Sequence, residues 1–132
     1  MPPGVLGRSS VGVVEDDPLL RRALQRLLRA TGFTVSTFAS AEDFLAASPA
    51  NVFDCLVLDI RLGNLSGFDL HDRLRASGVS TPAIFITGHD DEATRERARR
   101  IGAAGYVPKP FDQEALISLI EAAISRAGSA PS

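Results

Sequence analysis

Several features that would assign a protein to a special class are scarce or missing in this sequence of 132 residues. It contains one cysteine, Cys55, which excludes a disulfide bond within the chain and is expected to be a buried apolar side chain. No apolar run approaches the ~20 residues that a helix needs to cross a bilayer. The first residues also lack the basic segment and long apolar stretch of a secretory signal. These absences predict a soluble, cytoplasmic protein that does not act at a membrane.

Charge and metal-binding side chains exclude further classes of function. The net charge of −2 arises from 14 basic and 16 acidic residues, which gives no reason to expect direct nucleic-acid binding. No helix-turn-helix pattern follows Asp112 either. With 2 histidines and 1 cysteine, the chain lacks a ligand cluster of the kind that binds zinc. The chemistry therefore has to be sought among carboxylates, hydroxyls and basic side chains on a single domain.

Short apolar runs of strand length alternate with segments of helical spacing along the chain. The predicted strands are residues 11–14, 33–38, 55–58, 83–86 and 104–107. The predicted helices cover residues 18–31, 40–49, 68–76 and 91–101, and a last helix follows residue 112. This alternation predicts an α/β fold with a doubly wound, five-stranded parallel sheet and helices on both faces. Residues 10–126 form the predicted domain, and residues 1–9 and 127–132 are expected to be flexible ends.

Polar side chains stand where several of the predicted strands end. They follow strands one, three, four and five, and they are Glu15, Asp16, Asp17, Asp59, Thr87 and Lys109. Because ligands bind beyond the carboxyl ends of the strands in such sheets, we expect these side chains to converge. Each has a simpler alternative: a solvated turn and helix cap for the acidic run, a backbone-bonded hydroxyl for Thr87, and a surface position for Lys109. Their shared location favours one site over separate alternatives.

Carboxylates, a hydroxyl and an ammonium group at one edge suit phosphoryl transfer. Clustered carboxylates repel one another unless a cation is present, and oxygen ligands on loops are typical of Mg²⁺ sites. A carboxylate such as Asp59 beside a metal can act as a nucleophile on phosphorus. The transferred group then needs cations around its oxygens, which the metal and Lys109 would supply, and a hydroxyl donor, which Thr87 would supply.

Five ordered motifs carry a family resemblance. They are VVEDDP at 13–18, LVLD at 56–59, SG at 66–67, FITG at 85–88 and GYVPKPF at 105–111. With these motifs the sequence resembles the receiver domains of two-component response regulators over about residues 10–126. The segment 37–45 is most similar to FixJ-type receivers. The resemblance implies the flavodoxin-like (βα)5 receiver fold and a signalling domain that catalyses its own phosphorylation and dephosphorylation, rather than an enzyme.

The resemblance also implies how the phosphoryl group is accepted. Asp59 would take it from the phosphohistidine of a sensor histidine kinase or a histidine phosphotransfer protein. Glu15, Asp16, Asp59 and the Arg61 main-chain carbonyl would bind the Mg²⁺ or Mn²⁺ cofactor. Glutamate stands at position 15 where aspartate is commoner in the family, which implies a slight change in the metal geometry.

A receiver is further implied to change its surface on phosphorylation. Thr87 and Tyr106 match the switch pair of the family, and Lys109 would contact the phosphoryl group. The Lys109–Pro110 peptide bond is implied to be cis. The surface formed by the fourth helix, the last strand and the last helix would then bind a downstream protein, or a second copy of the chain as a phosphorylation-dependent homodimer.

Two observations bear on competing functions at the same loop. Gly63 stands where many relatives carry proline, which implies a more mobile loop and a changed phosphoryl lifetime. Haloacid-dehalogenase-like phosphatases need a second aspartate two residues after the nucleophile, and Arg61 occupies that position. The sequence therefore favours a receiver over a phosphatase.

The role of this receiver in the whole protein and its pathway allows three interpretations. A receiver with no output domain of its own is the first, and Met1 with the irregular residues after it favours a natural start. The receiver part of a larger transcriptional regulator or hybrid kinase is the second. A phosphate sink or shuttle in a phosphorelay, which would need no propagated switch, is the third.

Several basic residues are expected to lie outside the site. Those of the first helix are predicted to form a solvated face, with some as candidate kinase contacts: Arg21, Arg22, Arg26 and Arg29. The charged fourth helix is likewise predicted to be mostly exposed. His71 is predicted to be exposed on the third helix, and His89 to lie at the rim of the site.

Overall fold

Strands and helices alternate strictly in the computed structural model, which describes residues 9–47 and 52–128. In chain order the elements are β1 (Ser10–Val14), α1 (Pro18–Thr31), β2 (Thr34–Phe38), α2 (Ala41–Ala47), β3 (Cys55–Asp59), α3 (Gly67–Ala76), β4 (Ala83–Thr87), α4 (Glu92–Arg100), β5 (Gly105–Pro108) and α5 (Gln113–Gly128). The predicted end of the second helix near Pro49 and most of both predicted flexible ends lie outside the described residues. Within the described ranges, no helix is both long and apolar enough to span a membrane.

The five strands form one parallel sheet in the order β2-β1-β3-β4-β5. Val14 of β1 pairs with Leu58 of β3, and Thr87 of β4 pairs with Pro108 of β5. This register brings the carboxyl ends of the four strands that carry polar residues to the same edge. The predicted fold class is confirmed, and the strand order is the feature that places the predicted side chains together.

Helices cover both faces of the sheet, and each strand sends side chains alternately to the two sides. On one face, Leu56 and Leu58 pack in a cluster with residues of α2, α3 and α4. On the other, Val57 packs in a cluster with residues of α1 and α5. Strands buried on both sides need apolar residues at every position, which is why they read as continuous apolar runs in the sequence.

Local side-chain and backbone signals determine both ends of α1. The Asp17 carboxylate accepts a hydrogen bond from the Leu19 backbone N–H at 3.0 Å, so Asp17 is the N-cap of α1. Gly32 ends the helix in a left-handed conformation. The Phe33 backbone N–H donates a hydrogen bond to the Leu28 carbonyl at 3.1 Å, so Phe33 is part of this helix end. For this reason β2 begins at Thr34, one residue later than predicted.

His71 corrects the prediction of an exposed histidine on α3. Its side chain is only 2% exposed, and its ring lies 5.6 Å from the ring of Phe85. Neither ring nitrogen has a hydrogen-bond partner among the described residues, and burial lowers the pKa of the imidazole. His71 lies three residues from both Phe68 and Leu74, a spacing that places all three on the packed face. Cys55 is buried as predicted, and burial raises the pKa of its thiol to about 12.

Candidate functional site

Three carboxylates meet at the carboxyl edge of the sheet. Glu15 follows β1 and is fully buried, Asp59 ends β3 and is 4% exposed, and Asp16 is open to solvent. One oxygen from each carboxylate lies within 4.8 Å of the others. The Glu15 backbone N–H donates to the Phe38 carbonyl at 3.0 Å, so pairing with β2 continues past β1 and fixes this residue. The predicted convergence of the acidic residues is thus present in the structure.

Lys109 brings a positive charge to the two buried carboxylates. Its Nζ lies 3.1 Å from Glu15 Oε1 and donates to Asp59 Oδ2 at 3.2 Å. The Lys109 backbone N–H donates to the Thr87 carbonyl at 2.6 Å, and the peptide bond to Pro110 is cis. Burial tends to lower the pKa of Lys109, but the contacts with both acids outweigh it and raise this pKa above its ordinary value.

The electrostatics of the cluster suit an additional cation. Burial, aided by the neighbouring Asp59 carboxylate, raises the pKa of Glu15 to about 7. Lys109 approaches Glu15 Oε1 outside hydrogen-bonding geometry, so this buried oxygen has no hydrogen-bond donor among the described residues. Among the described residues, the three clustered carboxylates therefore share the one ammonium group of Lys109. Hard oxygen donors with this excess of negative charge fit a divalent ion such as Mg²⁺.

Backbone contacts hold the acidic loop between β1 and α1 in place. The Asp17 N–H donates to Glu15 Oε2 at 3.0 Å, which turns the Glu15 side chain toward the cluster. The Arg21 guanidinium donates to the Glu15 carbonyl at 2.9 Å and to the Asp16 carbonyl at 3.4 Å. Arg21 is half-buried, so the prediction that it belongs to a solvated face is wrong. Its neighbour Arg22 is exposed, as predicted.

The loop between β3 and α3 is shaped by two glycines. Gly63 has a φ of +93°, which proline cannot adopt because its ring holds φ near −65°. Glycine at this position therefore accompanies a loop conformation that the proline common in the family would not allow. Gly67 lies against β3, and a Cβ atom added there would stand 2.4 Å from the Asp59 carbonyl oxygen. The N-terminus of α3 can approach the end of β3 only because residue 67 has no side chain.

Replacing Gly67 by alanine is expected to lower the free energy of unfolding by about 1–3 kcal/mol, the range typical of overpacking. The added methyl must displace either the Asp59 backbone or the first turn of α3. Urea unfolding monitored by circular dichroism measures the change. Gly88→Ala is the matched control, since a Cβ there would meet only a Lys109 side-chain carbon at 3.9 Å. Equal losses in both variants would contradict the close approach at Gly67.

Thr87 and Tyr106 both contact the loop between β4 and α4. The buried Thr87 hydroxyl accepts from the His89 N–H at 2.9 Å and donates to the His89 carbonyl at 3.3 Å. The Tyr106 hydroxyl donates to Asp90 Oδ1 at 3.0 Å. A cavity of about 590 Å³, lined in part by Arg61, Thr87 and His89, opens beside the loop. His89 thus lines this cavity together with Thr87, whereas sequence reasoning did not single out Asp90.

Known proteins share this fold and sequence pattern. The model of the response regulator receiver domain family matches residues 11–121. Nodulation protein W of Bradyrhizobium diazoefficiens is 41% identical over 119 residues, which cover 90% of this chain and 52% of that protein. Transcriptional regulatory protein FixJ of the same organism is 36% identical, over 91% of this chain and 58% of that protein. The chain spans about half the length of these curated relatives.

Solved structures agree with the sequence matches. Response regulator StyR is 40% identical with a TM-score of 0.81, over 90% of this chain and 60% of that one. Full-length FixJ from B. japonicum is 36% identical with a TM-score of 0.84, over 92% of this chain and 60% of that one. The resemblance to FixJ-type receivers is therefore confirmed, and the chain belongs to the family of response regulator receiver domains of two-component systems.

Proposed function

We propose that this domain accepts a phosphoryl group on Asp59 from the phosphohistidine of a sensor histidine kinase or a histidine phosphotransfer protein. The observation that carries the proposal is the meeting of Asp59, Glu15 and Asp16 with Lys109, whose Nζ lies 3.2 Å from Asp59 Oδ2. A nucleophilic carboxylate, an acidic metal site and a fixed cation are the parts that phosphoryl transfer requires. The proposed location is the cytoplasm, and the proposed domain covers residues 10–126.

The metal site of the proposal uses groups that surround Asp59. Glu15, Asp16, Asp59 and the main-chain carbonyl of Arg61 would bind Mg²⁺ or Mn²⁺. The ion supplies positive charge that offsets the negative charge of the carboxylates and of the transferred phosphoryl oxygens. Arg61 also donates its backbone N–H to Asp59 Oδ1 at 3.2 Å, which orients the nucleophile.

The transfer itself exchanges one bond to phosphorus for another. An Asp59 carboxylate oxygen attacks the phosphorus atom as the bond to the donor imidazole nitrogen breaks, and the electron pair returns to the imidazole. The product is an acyl phosphate on Asp59. Lys109 exchanges its contact with Asp59 Oδ2 for one with a phosphoryl oxygen, and the Thr87 hydroxyl becomes the donor to another.

The proposed response to phosphorylation is a structural change at the surface formed by α4, β5 and α5. When Thr87 turns to the phosphoryl group, it leaves His89, and Tyr106 can take a second position beside β4. This surface would bind a downstream protein or form a phosphorylation-dependent homodimer. Because the match covers only 52% and 58% of two relatives, one of which is a transcriptional regulator, the receiver part of a larger regulator is a second candidate.

Labelling with acetyl phosphate tests the proposal directly. In the presence of Mg²⁺, the intact mass is expected to rise by one phosphoryl group, and a chelator is expected to prevent the gain. Asp59→Asn removes the nucleophile and is expected to abolish the labelling, whereas Asp54→Asn, which changes an exposed acid at the opposite end of β3, should leave it unchanged. Labelling that survives Asp59→Asn would show that another residue is the acceptor.

A phosphoryl mimic then separates a switch from a phosphate sink or shuttle. With Mg²⁺ and beryllofluoride, a switch is expected to change the amide chemical shifts of Ala98, Ile101, Tyr106 and Leu116. These residues lie away from the acidic cluster on or beside α4, β5 and α5. Changes confined to the loops that hold Asp16, Asp59 and Thr87 would instead support the sink or shuttle.

A further inference from the structure

One carboxylate of the β4–α4 loop binds residues from two other elements. Asp90 Oδ1 accepts the hydrogen bond of the Tyr106 hydroxyl at 3.0 Å, and Arg95 Nε lies 3.1 Å from the same oxygen. Tyr106 belongs to β5 and packs, half-buried, against the core cluster under α4. Arg95 belongs to the first half of α4. Asp90 therefore connects the loop, β5 and α4 through a single atom.

The same loop is also attached to the phosphoryl site. The Thr87 hydroxyl both accepts from and donates to the backbone of His89. The next acid, Asp91, accepts from the Thr94 N–H at 2.7 Å and caps α4. Because His89 and Asp90 are consecutive, a Thr87 hydroxyl that leaves His89 releases the backbone directly beside Asp90. The hydrogen bonds between Thr87 and His89 and the bond between Asp90 and Tyr106 are thus joined by the His89–Asp90 peptide bond.

We propose that Asp90 is a positioning residue that holds Tyr106 in the resting arrangement and couples its release to the Thr87 hydroxyl. The inference rests on the proposed function, since it gives the resting contact that phosphorylation must break. The hydrogen bond between Tyr106 and Asp90 stabilises the resting state, so removing it shifts the equilibrium toward the switched state. A phosphoryl mimic that prefers the switched state is then expected to bind the variant more tightly than the wild type.

The environment of the Tyr106 hydroxyl agrees with this role. Burial raises the pKa of Tyr106 to about 12, together with the hydrogen bond to Asp90 and the charges of Asp90 and Asp91. The positive charge of Arg95 tends to lower the pKa of Tyr106 and is outweighed. Arg99 of α4 lines the same small cavity as Tyr106. The phenol therefore stays neutral and donates its hydrogen bond to Asp90 Oδ1.

The single tyrosine of the sequence makes this bond observable. The chain contains one tyrosine and no tryptophan, so its intrinsic fluorescence reports on Tyr106 alone. A hydrogen bond from the phenol to a carboxylate quenches tyrosine emission. At neutral pH, Asp90→Ala is expected to raise the emission, and Glu92→Ala, which removes an exposed acid from the first turn of α4, is expected to leave it unchanged. Equal emission from the wild type and Asp90→Ala would overturn the proposed contact.

The coupling is tested by beryllofluoride affinity in the presence of Mg²⁺. Asp90→Ala is expected to bind the mimic about fivefold more tightly than the wild type, which corresponds to the net value of one hydrogen bond. In a Tyr106→Phe background the same substitution is expected to have no effect, because the partner hydroxyl is already gone. Glu92→Ala should bind like the wild type.

The outcomes separate this inference from the proposed function. An unchanged or weaker affinity in Asp90→Ala, or an effect that persists in the Tyr106→Phe background, would overturn the coupling. A wild-type protein that fails to bind beryllofluoride in an Asp59-dependent way would overturn the proposed function and the coupling with it. In that case the fluorescence comparison still decides whether Asp90 holds Tyr106.

Discussion

Asp16→Asn is expected to weaken Mg²⁺ binding by about tenfold or more, since it removes a charged oxygen ligand from the proposed site. Asp16 is the exposed member of the three clustered carboxylates, so its loss leaves the buried Glu15–Asp59–Lys109 contacts in place. The fold should therefore be kept while the affinity falls. Titration of Mg²⁺ followed by amide chemical shifts or calorimetry measures the dissociation constant.

The neighbouring acid provides a matched control for this prediction. Asp17 carries the same charge one residue further on, but its carboxylate accepts from the Leu19 N–H as the cap of α1. Asparagine caps helices about as well as aspartate, so Asp17→Asn is expected to change Mg²⁺ affinity by no more than about twofold. Equal losses of Mg²⁺ affinity in the two variants would show that Asp16 had been wrongly chosen over Asp17 as the metal ligand.

Without divalent cations, deprotonation of Glu15 is expected to lower the free energy of unfolding as the pH rises from about 5 to about 8. The pKa of Glu15 is raised to about 7 in the folded protein from an ordinary value of 4.5, so the folded state binds this proton more tightly than the unfolded chain. The contribution of this proton to the free energy of unfolding is complete below the pKa of Glu15 in the unfolded chain. It is lost as the pH rises through the pKa of Glu15 in the folded protein. The whole contribution is on the order of 3 kcal/mol. Urea unfolding in a chelator at several pH values measures it.

Substitutions isolate the part that belongs to Glu15. Glu15→Gln is expected to remove this dependence, whereas Glu42→Gln on the exposed side of α2 should keep it. The buried His71 acts in the opposite direction, because its lowered pKa takes stability away as the pH falls below about 6.5. That contribution is common to all the proteins and cancels in the comparison. A wild type and a Glu15→Gln variant with parallel pH profiles would contradict the prediction.

Mg²⁺ should oppose this loss of stability in the wild type. The ion binds the deprotonated carboxylates, so its affinity and its stabilising effect grow as Glu15 loses its proton. Saturating Mg²⁺ is therefore expected to add more to the free energy of unfolding at pH 8 than at pH 5.5. The Asp16→Asn variant should gain much less at both values.

Much of this protein could be predicted from local sequence patterns. The alternation of apolar runs with helical spacing determined five strands and five helices, because strands covered on both faces must be apolar at every position. Residues such as Asp59 and Thr87 could be assigned to the functional edge because each directly follows its own apolar run. Asp17 and Gly32 could be assigned to the ends of α1 because capping depends on a few adjacent residues.

Other features depend on which distant residues meet, and only the tertiary structure decided them. The strand order brings Lys109 to Asp59, 50 positions away, and the Asp90–Tyr106 bond joins residues 16 positions apart. Arg21 was grouped with exposed arginines because its spacing does not reveal the carbonyl groups that it reaches across the loop. His71 was misplaced because it was judged by its polarity, although its spacing of three residues from Phe68 and from Leu74 puts it on the packed face of α3. Periodicity and caps act over a few residues, whereas packing partners, burial and the resulting pKa shifts are set by the arrangement of the whole sheet.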